Sequence, residues 1–553
     1  MIRRREFVAG IGAMLATRLE ASRAPLEVAY VNAKLWTGRP RPKPATAFGT
    51  IGNRIATVGE DADVRAVCGK STRVIDLGGA FALPGFMDNH THFLRASFML
   101  GSPELRTAKT REEFVERVGR AARAVRPGRW LQGGNWDEQM WGGELPTRAW
   151  IDGVTADTPV AIVRLDQHLV LLNSLALRLA GIDRNTPDPA GGLILKDAEG
   201  EPTGLLKDKA AALVKRVIPP PSDADVDQAI VAGAAYALSK GITQVHVTEL
   251  DWTTHHSLRR LRAKHGLQMR FYSFVPIEDW RELAALVKTE GHGDDWVRWG
   301  GVKGLIDGSL GSRTALFHEP YADDPRNHGL YRTPPEQLRD LIVNADAARL
   351  HVTVHAIGDA GNKLVLDMFA EAAERNGPRD RRFRIEHAQH LLAQDIPRFA
   401  QQEVIASIQP YHAVDDGRWA VKPLGERRLR GSWAMRSLLD AQASVTFGSD
   451  WPVAPIDPLL GVDAAVLRRT IDGAHPLGWT PEQRISVTEA LTAYTSANAH
   501  AGFQEDRLGV IAQGYLADIV VLDTDLTKCD PARIRDAKVI RTIVDGRTRF
   551  GDT

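Results

Sequence analysis

His90 and His92 flank Thr91 at the end of an apolar run, FALPGFMDNHTHF over residues 81–93. Side chains two apart on an extended strand point to the same face, so the two imidazoles face one way. Neutral imidazole is a good ligand for zinc and related divalent ions, and two at a strand end can grip one ion. A His-X-His pair alone is a frequent coincidence in a long chain. Here it has company, because Lys303, His355, His387 and Asp450 lie in or close apolar, strand-like segments far downstream. A (β/α)8 barrel gathers residues in this way, since its chemistry comes from the C-terminal ends of different strands.

The elements that would position these residues are readable as eight apolar segments. They lie near 82–89, 242–249, 269–275, 298–307, 351–356, 382–387, 404–410 and 443–449. Most are separated by helical-period stretches such as PEQLRDLIVNADAARL, which predicts βα repeats and an α/β, TIM-like barrel over 81–504. Pro84-Gly85 predicts a bend that delivers the first strand into the barrel. The first gap is too long for one helix, so residues 95–235 are expected to form a cap insertion after strand one. Residues 25–80 alternate apolar positions between frequent glycines, and 505–553 read likewise, as in GYLADIVVLD and KVIRTIVDGRTRF. Chain ends commonly lie close together, so both can build one small β-sandwich.

PGFMDNHTH, GNWDEQMW, DQHLVLLNS, VKGLIDGSLGSRTA, VHAIGDAGN, RIEHAQ, GSDWPV and GYLADIVVLD follow one another between about residue 28 and the end. In that order they resemble the amidohydrolase superfamily, in the branch of N-substituted formamide deformylase and the YtcJ-like hydrolases. The resemblance implies the barrel with its sandwich, and two divalent ions, zinc being expected. It implies that His90 and His92 hold the more buried ion and that His355 and His387 hold the other. It also implies that Lys303 is carboxylated and bridges the pair as an anion. Elementary chemistry agrees in direction: a lysine beside cations loses its proton more easily, and a neutral amine can add carbon dioxide. The simpler role for Lys303 is an ion pair with Asp307. Asp450 can ligate a metal, take a proton from bound water and pass it to a leaving group. Its simpler role is a helix N-cap, since Ser449 and Asp450 precede a turn.

Candidate substrate contacts surround these positions. Trp136, Asp137 and Trp141 sit in GGNWDEQMWGG, whose glycines could let a lid move, and His168 and Asn173 lie in DQHLVLLNS. Asp307, Ser309 and Arg313 follow the fourth strand, Tyr411 and His412 the seventh, and Trp451 adjoins Asp450. Each aromatic alone could be ordinary packing. Together they predict a pocket with aromatic walls for a small, partly apolar substrate. The leading expectation is a metal-dependent hydrolase of an amide, N-formyl or N-acyl C–N bond, acting through a metal-bridged hydroxide with Asp450 as catalytic proton carrier. An esterase or lactonase would use the same machinery. A mononuclear deaminase of this fold would carry Glu three residues after the strand-five histidine, where this chain has Gly358, and Lys303 also speaks against it. A non-catalytic periplasmic binding protein would not need the intact ligand set.

Composition removes other classes. The 553 residues are 43% hydrophobic and 25% charged, ordinary globular values for one large domain and a smaller one. Lys plus Arg at 70 against Asp plus Glu at 69 leaves +1, with no basic excess to recommend nucleic acid. Arg4-Arg5-X-Phe7 before VAGIGAML resembles a twin-arginine export signal over 1–24, which predicts a periplasmic or secreted protein rather than a cytoplasmic one. The run is far short of the ~20 apolar residues of a spanning helix, so no stable membrane anchor is expected. Cys68 and Cys529 are too few for a thiolate zinc cluster or a disulfide framework, though the two could bridge in an oxidising compartment. A homodimer is left open.

Overall fold

The computed structural model describes residues 25–39, 44–164, 169–249 and 251–552. Eight strands form one parallel sheet: β1 (Phe86–Thr91), β2 (Ile242–Thr248), β3 (Arg270–Pro276), β4 (Val297–Leu305), β5 (His351–Ala356), β6 (Arg384–His387), β7 (Ile405–Ile408) and β8 (Val445–Phe447). Each pairs with the next in chain order. The circle closes by a parallel bridge between Thr91 and Trp451, where Asp450 N donates to His90 O at 2.7 Å and His92 N to Trp451 O at 2.9 Å. This is the (β/α)8 barrel that the eight apolar runs predict.

Alternation along the strands separates two sets of buried side chains. Val352, Val354, Ile385, Ala406, Ile408 and Val445 are apolar, while Thr353, Arg384, Glu386, Ser407 and Thr446 alternate with them and are equally buried. The connecting helices supply amphipathic faces. In Pro335–Ala347 the proline takes the first turn, and Leu338, Ile342 and Ala345 bury one stripe at helical spacing. Helix Val487–Tyr494 starts with a full capping box, Ser486 and Glu489 each bonding the other's backbone N–H.

One predicted strand is two. Phe81–Pro84 pairs antiparallel with Ile519–Leu522, whereas Phe86–Thr91 pairs with β2. Pro84-Gly85 is the bend, and a Cβ at Gly85 would meet Thr243 at 2.3 Å, so the close approach needs glycine. The sandwich therefore reaches to Pro84 rather than ending at residue 80.

The sandwich uses both chain ends. A four-stranded sheet runs Arg54–Gly59, Ala47–Ile51, Val28–Val31, Arg73–Asp76, and a five-stranded one runs Lys34–Leu35, Phe81–Pro84, Ile519–Leu522, Val539–Val544, Arg547–Phe550. Tyr30, Phe48, Ile55, Ala82, Ile519, Val521 and Ile543 share one core, with Tyr30 stacked on Phe48 at 4.7 Å. Cys68 and Cys529 are unpaired thiols, each donating to a carbonyl of its own turn, Val64 O and Leu526 O. Residues 94–229 form a compact unit of their own around a five-stranded sheet, Gly192–Lys196, Pro202–Asp208, Leu169–Leu172, Val160–Arg164, Leu131–Trp136.

The arginine pair lies outside the described residues. Among the described residues no helix is long and apolar enough to cross a membrane.

Sandwich and barrel are tied by a buried ion pair. Arg270, opening β3, donates to both oxygens of Asp518 at 2.7 and 2.9 Å and to Asp545 at 3.0 Å. Breaking a buried pair from one side costs roughly 3–5 kcal/mol, because it strands the other charge. Asp518→Ala is expected to lower the urea midpoint of unfolding clearly; an unchanged midpoint would show that Asp545 alone satisfies Arg270.

Candidate metal centre

The centre is assembled where β1 and β8 meet. Asp88 is buried in the seam and accepts from His90 N at 3.1 Å and from Ser449 N at 3.0 Å. Gly448 allows this contact, since a Cβ there would lie 2.6–2.8 Å from Asn89 Oδ1, His90 N and Asp88 Oδ1. Burial pushes the Asp88 carboxyl up to about 7. Asp450 follows with φ 61°, a left-handed conformation rare outside glycine and held here by the seam.

His90, His387 and Asp450 each offer a donor atom within 4.8 Å of the others, and all three are buried. Asp450 Oδ1 lies 3.6 Å from His90 Nε2 and 3.3 Å from His92 Nε2, and its Oδ2 lies 3.9 Å from His412 Nε2. The His387 ring is 4.9 Å from that of His90 and 4.4 Å from that of His355. His387 has φ 75°, which ends the strand alternation and lets its ring turn toward His90 although Glu386 before it is also inside. His355 stands at the edge of the cluster: its Nε2 is 3.0 Å from Gly308 O and 3.4 Å from Asp307 Oδ1. Burial, then the Lys303 charge, lowers His90 to about 4. Burial and neighbouring histidines hold His387 well below its ordinary value, and burial lowers His412. Neutral imidazole is the metal-binding form, so these rings are ready donors at neutral pH.

A divalent ion fits this donor set. Asp450 Oδ1, His387 Nδ1, His412 Nε2 and Lys303 Nζ are buried without a hydrogen-bond partner among the described residues, an unusual concentration of unmet polar atoms.

The other expected site residues fall into two groups. Trp451 packs edge-on to Phe93 at 5.6 Å and stacks on Tyr236 at 5.8 Å, beside Asp450. His412 stacks parallel to His387 at 6.3 Å, with Tyr411 next to it in the first turn of helix Pro410–Asp416. Asp307 is engaged by backbone, accepting from Leu316, Ile357 and Gly358 N at 2.9–3.0 Å, and is not hydrogen-bonded to Lys303. Arg313 pairs with Asp323 at 2.6 Å, and Ser309 bonds Ser312 at 2.8 Å. Within the 94–229 unit, Trp136 is fully buried and its indole donates to Ile162 O. Asp137 caps the turn Glu138–Trp141, whose Trp141 packs on Phe114 at 5.2 Å. Asn173 spends its carboxamide on Val160, Ala176, Thr155 and Thr158. His168 lies outside the described residues.

Sequence reasoning missed Glu386, Arg384 and Asp88. Glu386 Oε2 is 2.5 Å from His90 Nδ1. Burial would raise the Glu386 carboxyl, but Arg384 and its other cationic neighbours hold it well below the usual carboxylate range. The signal was present in RIEHAQ, where a carboxylate immediately precedes the strand-end histidine.

The Amidohydrolase family profile matches residues 73–550. The chain belongs to the amidohydrolase family. It is 38% identical over 95% of its length to Protein LONG AFTER FAR-RED 3 of Arabidopsis thaliana, covering 91% of that protein. It is 34% identical over 86% to Putative amidohydrolase YtcJ of Bacillus subtilis (90% covered), and 29% over 95% to N-substituted formamide deformylase of Arthrobacter pascens (99% covered). A structure of an uncharacterized metal-dependent hydrolase from Pyrococcus furiosus superposes with TM-score 0.76 at 29% identity, covering 91% of this chain and all of that one. This amidohydrolase is thus a metal-dependent hydrolase of the TIM-barrel type.

Burial lowers Lys303 from 10.5 to about 8. The folded state therefore binds fewer protons than the unfolded one between those values, and unfolding free energy rises with pH through that window. Metal-free protein is expected to gain stability as pH rises from about 8 toward 10.5, while Lys303→Met lacks that increment. Parallel urea titrations of the two chains check it, and identical pH profiles would refute it.

Proposed function

We propose that this amidohydrolase binds two divalent ions, zinc foremost, and cleaves an amide, N-formyl or N-acyl C–N bond of a small, partly apolar molecule. Lys303 carries the proposal: its ammonium is buried beside His90, His387, Glu386 and Asp450 yet makes no hydrogen bond among the described residues. With its pKa near 8, the neutral amine is within reach and can take up carbon dioxide as a carbamate. An anion there suits two dications, whereas an ammonium would be repelled. His90, His92, carboxylated Lys303, His355, His387 and Asp450 would hold the ions. Bound divalent ions polarise a carbonyl and make water acidic enough to attack it near neutral pH.

The chain does the rest. Asp450 lies 3.3–3.9 Å from His90, His92 and His412, and would accept the proton of the attacking water and return it to the departing amine. Trp451, Tyr411 and His412 adjoin it and would wall the acyl side. Likeness to N-substituted formamide deformylase supports the N-formyl class, which the donor set alone does not separate from esters or lactones. Arg4-Arg5-X-Phe7 supports twin-arginine export to the periplasm.

A hydrolysis screen of zinc-loaded protein with N-formyl, N-acyl, dipeptide, ester and lactone substrates tests the bond class. N-formyl or N-acyl amides are expected to turn over fastest, and activity confined to esters and lactones would overturn the C–N assignment. Asp450→Asn keeps an oxygen for the metal but cannot take a proton, so kcat is expected to fall roughly 10²-fold or more with at most partial metal loss. Equal rates would remove Asp450 from the proton path. Lys303→Ala is expected to lose metal and activity, with short carboxylic acids restoring part of the rate. Protein equilibrated with 13C-bicarbonate should show a carbamate carbon that the variant lacks; normal metal content in Lys303→Ala would sink the bridge.

A further inference from the structure

Barrels of this kind are usually filled with Val, Ile and Leu. This one carries a buried charge pair. Glu386 and Arg384 both face the interior and are fully buried. Glu386 Oε2 meets His90 Nδ1 at 2.5 Å and accepts from Ser407 Oγ at 2.5 Å. Its Oε1 accepts from Arg384 Nε at 2.8 Å and from Thr353 Oγ1. Arg384 also donates to His246 Nδ1 at 2.8 Å and to Asn89 O at 3.1 Å, with its guanidinium 4.9 Å over the Phe274 ring. Side chains from β1, β5, β6 and β7 thus converge on one carboxylate. Apolar residues of the same volume often serve stability as well or better than a buried ion pair, so fold stability alone does not explain it.

We propose that Glu386 is a positioning residue for His90. It holds His90 as the Nδ1–H tautomer, leaving Nε2 as the donor on the Asp450 side, and Arg384 holds the carboxylate in place. The proposal rests on the metal-site reading above and adds how one ligand is set.

The chemistry follows from donor and acceptor counts. Neutral imidazole has one N–H, and the nitrogen that carries it cannot ligate. A carboxylate only accepts, so His90 Nδ1 facing Glu386 must donate, which leaves the lone pair on Nε2. That atom lies 3.6 Å from Asp450 Oδ1. Arg384 only donates and claims the other oxygen of Glu386. A carboxamide at 386 has one oxygen and one NH2, so one of its ends would present N–H to N–H, either at Arg384 or at His90. Relief by moving the His90 proton to Nε2 would abolish the metal donor.

The test is zinc affinity of the full chain, stripped of metal and titrated against a competing chelator, with the cobalt(II) visible spectrum as a report on ligand geometry. Glu386→Gln is expected to weaken zinc retention by roughly 10–100-fold, the usual effect of losing a carboxylate behind a metal-binding histidine. It is also expected to alter the cobalt spectrum. The double variant R384M/E386L removes both charges, leaves His90 Nδ1 without an acceptor at position 386, strands no arginine, and is expected to show the same loss of zinc with an unchanged circular dichroism spectrum. A folded double variant that binds zinc as tightly as the parent, with the parent's cobalt spectrum, overturns the assignment. A double variant that stays unfolded in excess zinc also overturns it, by making the pair a core-building element. If the parent itself retains no zinc, the metal-site reading fails first, a result read from the parent alone.

Discussion

The hydrogen bonds that close the barrel are made by residues that bear candidate metal donors. Asp450 N binds the carbonyl of His90, His92 N binds the carbonyl of Trp451, and Asp88 ties His90 N to Ser449 N. The separation of His90, His92 and Asp450 is therefore set by sheet closure and not by flexible loops. Gly448 is part of the same constraint, because a side chain there would hold the two strand ends apart. Residues far apart in the chain become neighbours through backbone pairing, which is how a preorganised site lowers the cost of binding.

Burial acts on the donors in one consistent direction. It lowers His90, His387 and His412, so their rings stay neutral, and it lowers Lys303 toward a reactive amine. Carboxylates respond the opposite way to burial, so an anion survives only where cations or donors hold it. Glu386 is held by Arg384, whereas Asp88, with only hydrogen bonds from the seam, is pushed up to about 7. The interior thus contains neutral imidazoles, the Glu386 carboxylate with its counter-ion, and a lysine without a hydrogen-bond partner among the described residues, an arrangement that gains from a cation entering it.

The candidate metal donors and the long connection after β4 are built differently. The donors sit on strand ends, while Asp307 and Arg313 organise the long connection after β4 through backbone contacts and the Arg313–Asp323 pair. Such connections vary freely among barrels that keep one reaction. Family membership therefore fixes the metal-dependent hydrolase more firmly than it fixes the bond cleaved.

Much of this protein could be read from its sequence. Eight apolar runs became eight barrel strands, because burial on both faces leaves a local apolar signature. The histidines and Asp450 could be placed at strand ends because each stands in or beside such a run. What the sequence could not show were partners: Phe81–Pro84 looks like the start of β1, yet it pairs with Ile519–Leu522 in the sandwich. Asp307 was readable as a substrate contact or a partner of Lys303, and its backbone engagement depends on how the chain returns through Leu316 and Gly358. Glu386 was visible in RIEHAQ, but nothing local told that it would meet His90, nearly 300 residues earlier. Periodicity records whether a side chain is buried. Which groups it meets across the barrel is a non-local choice, decided only when the sheet closes.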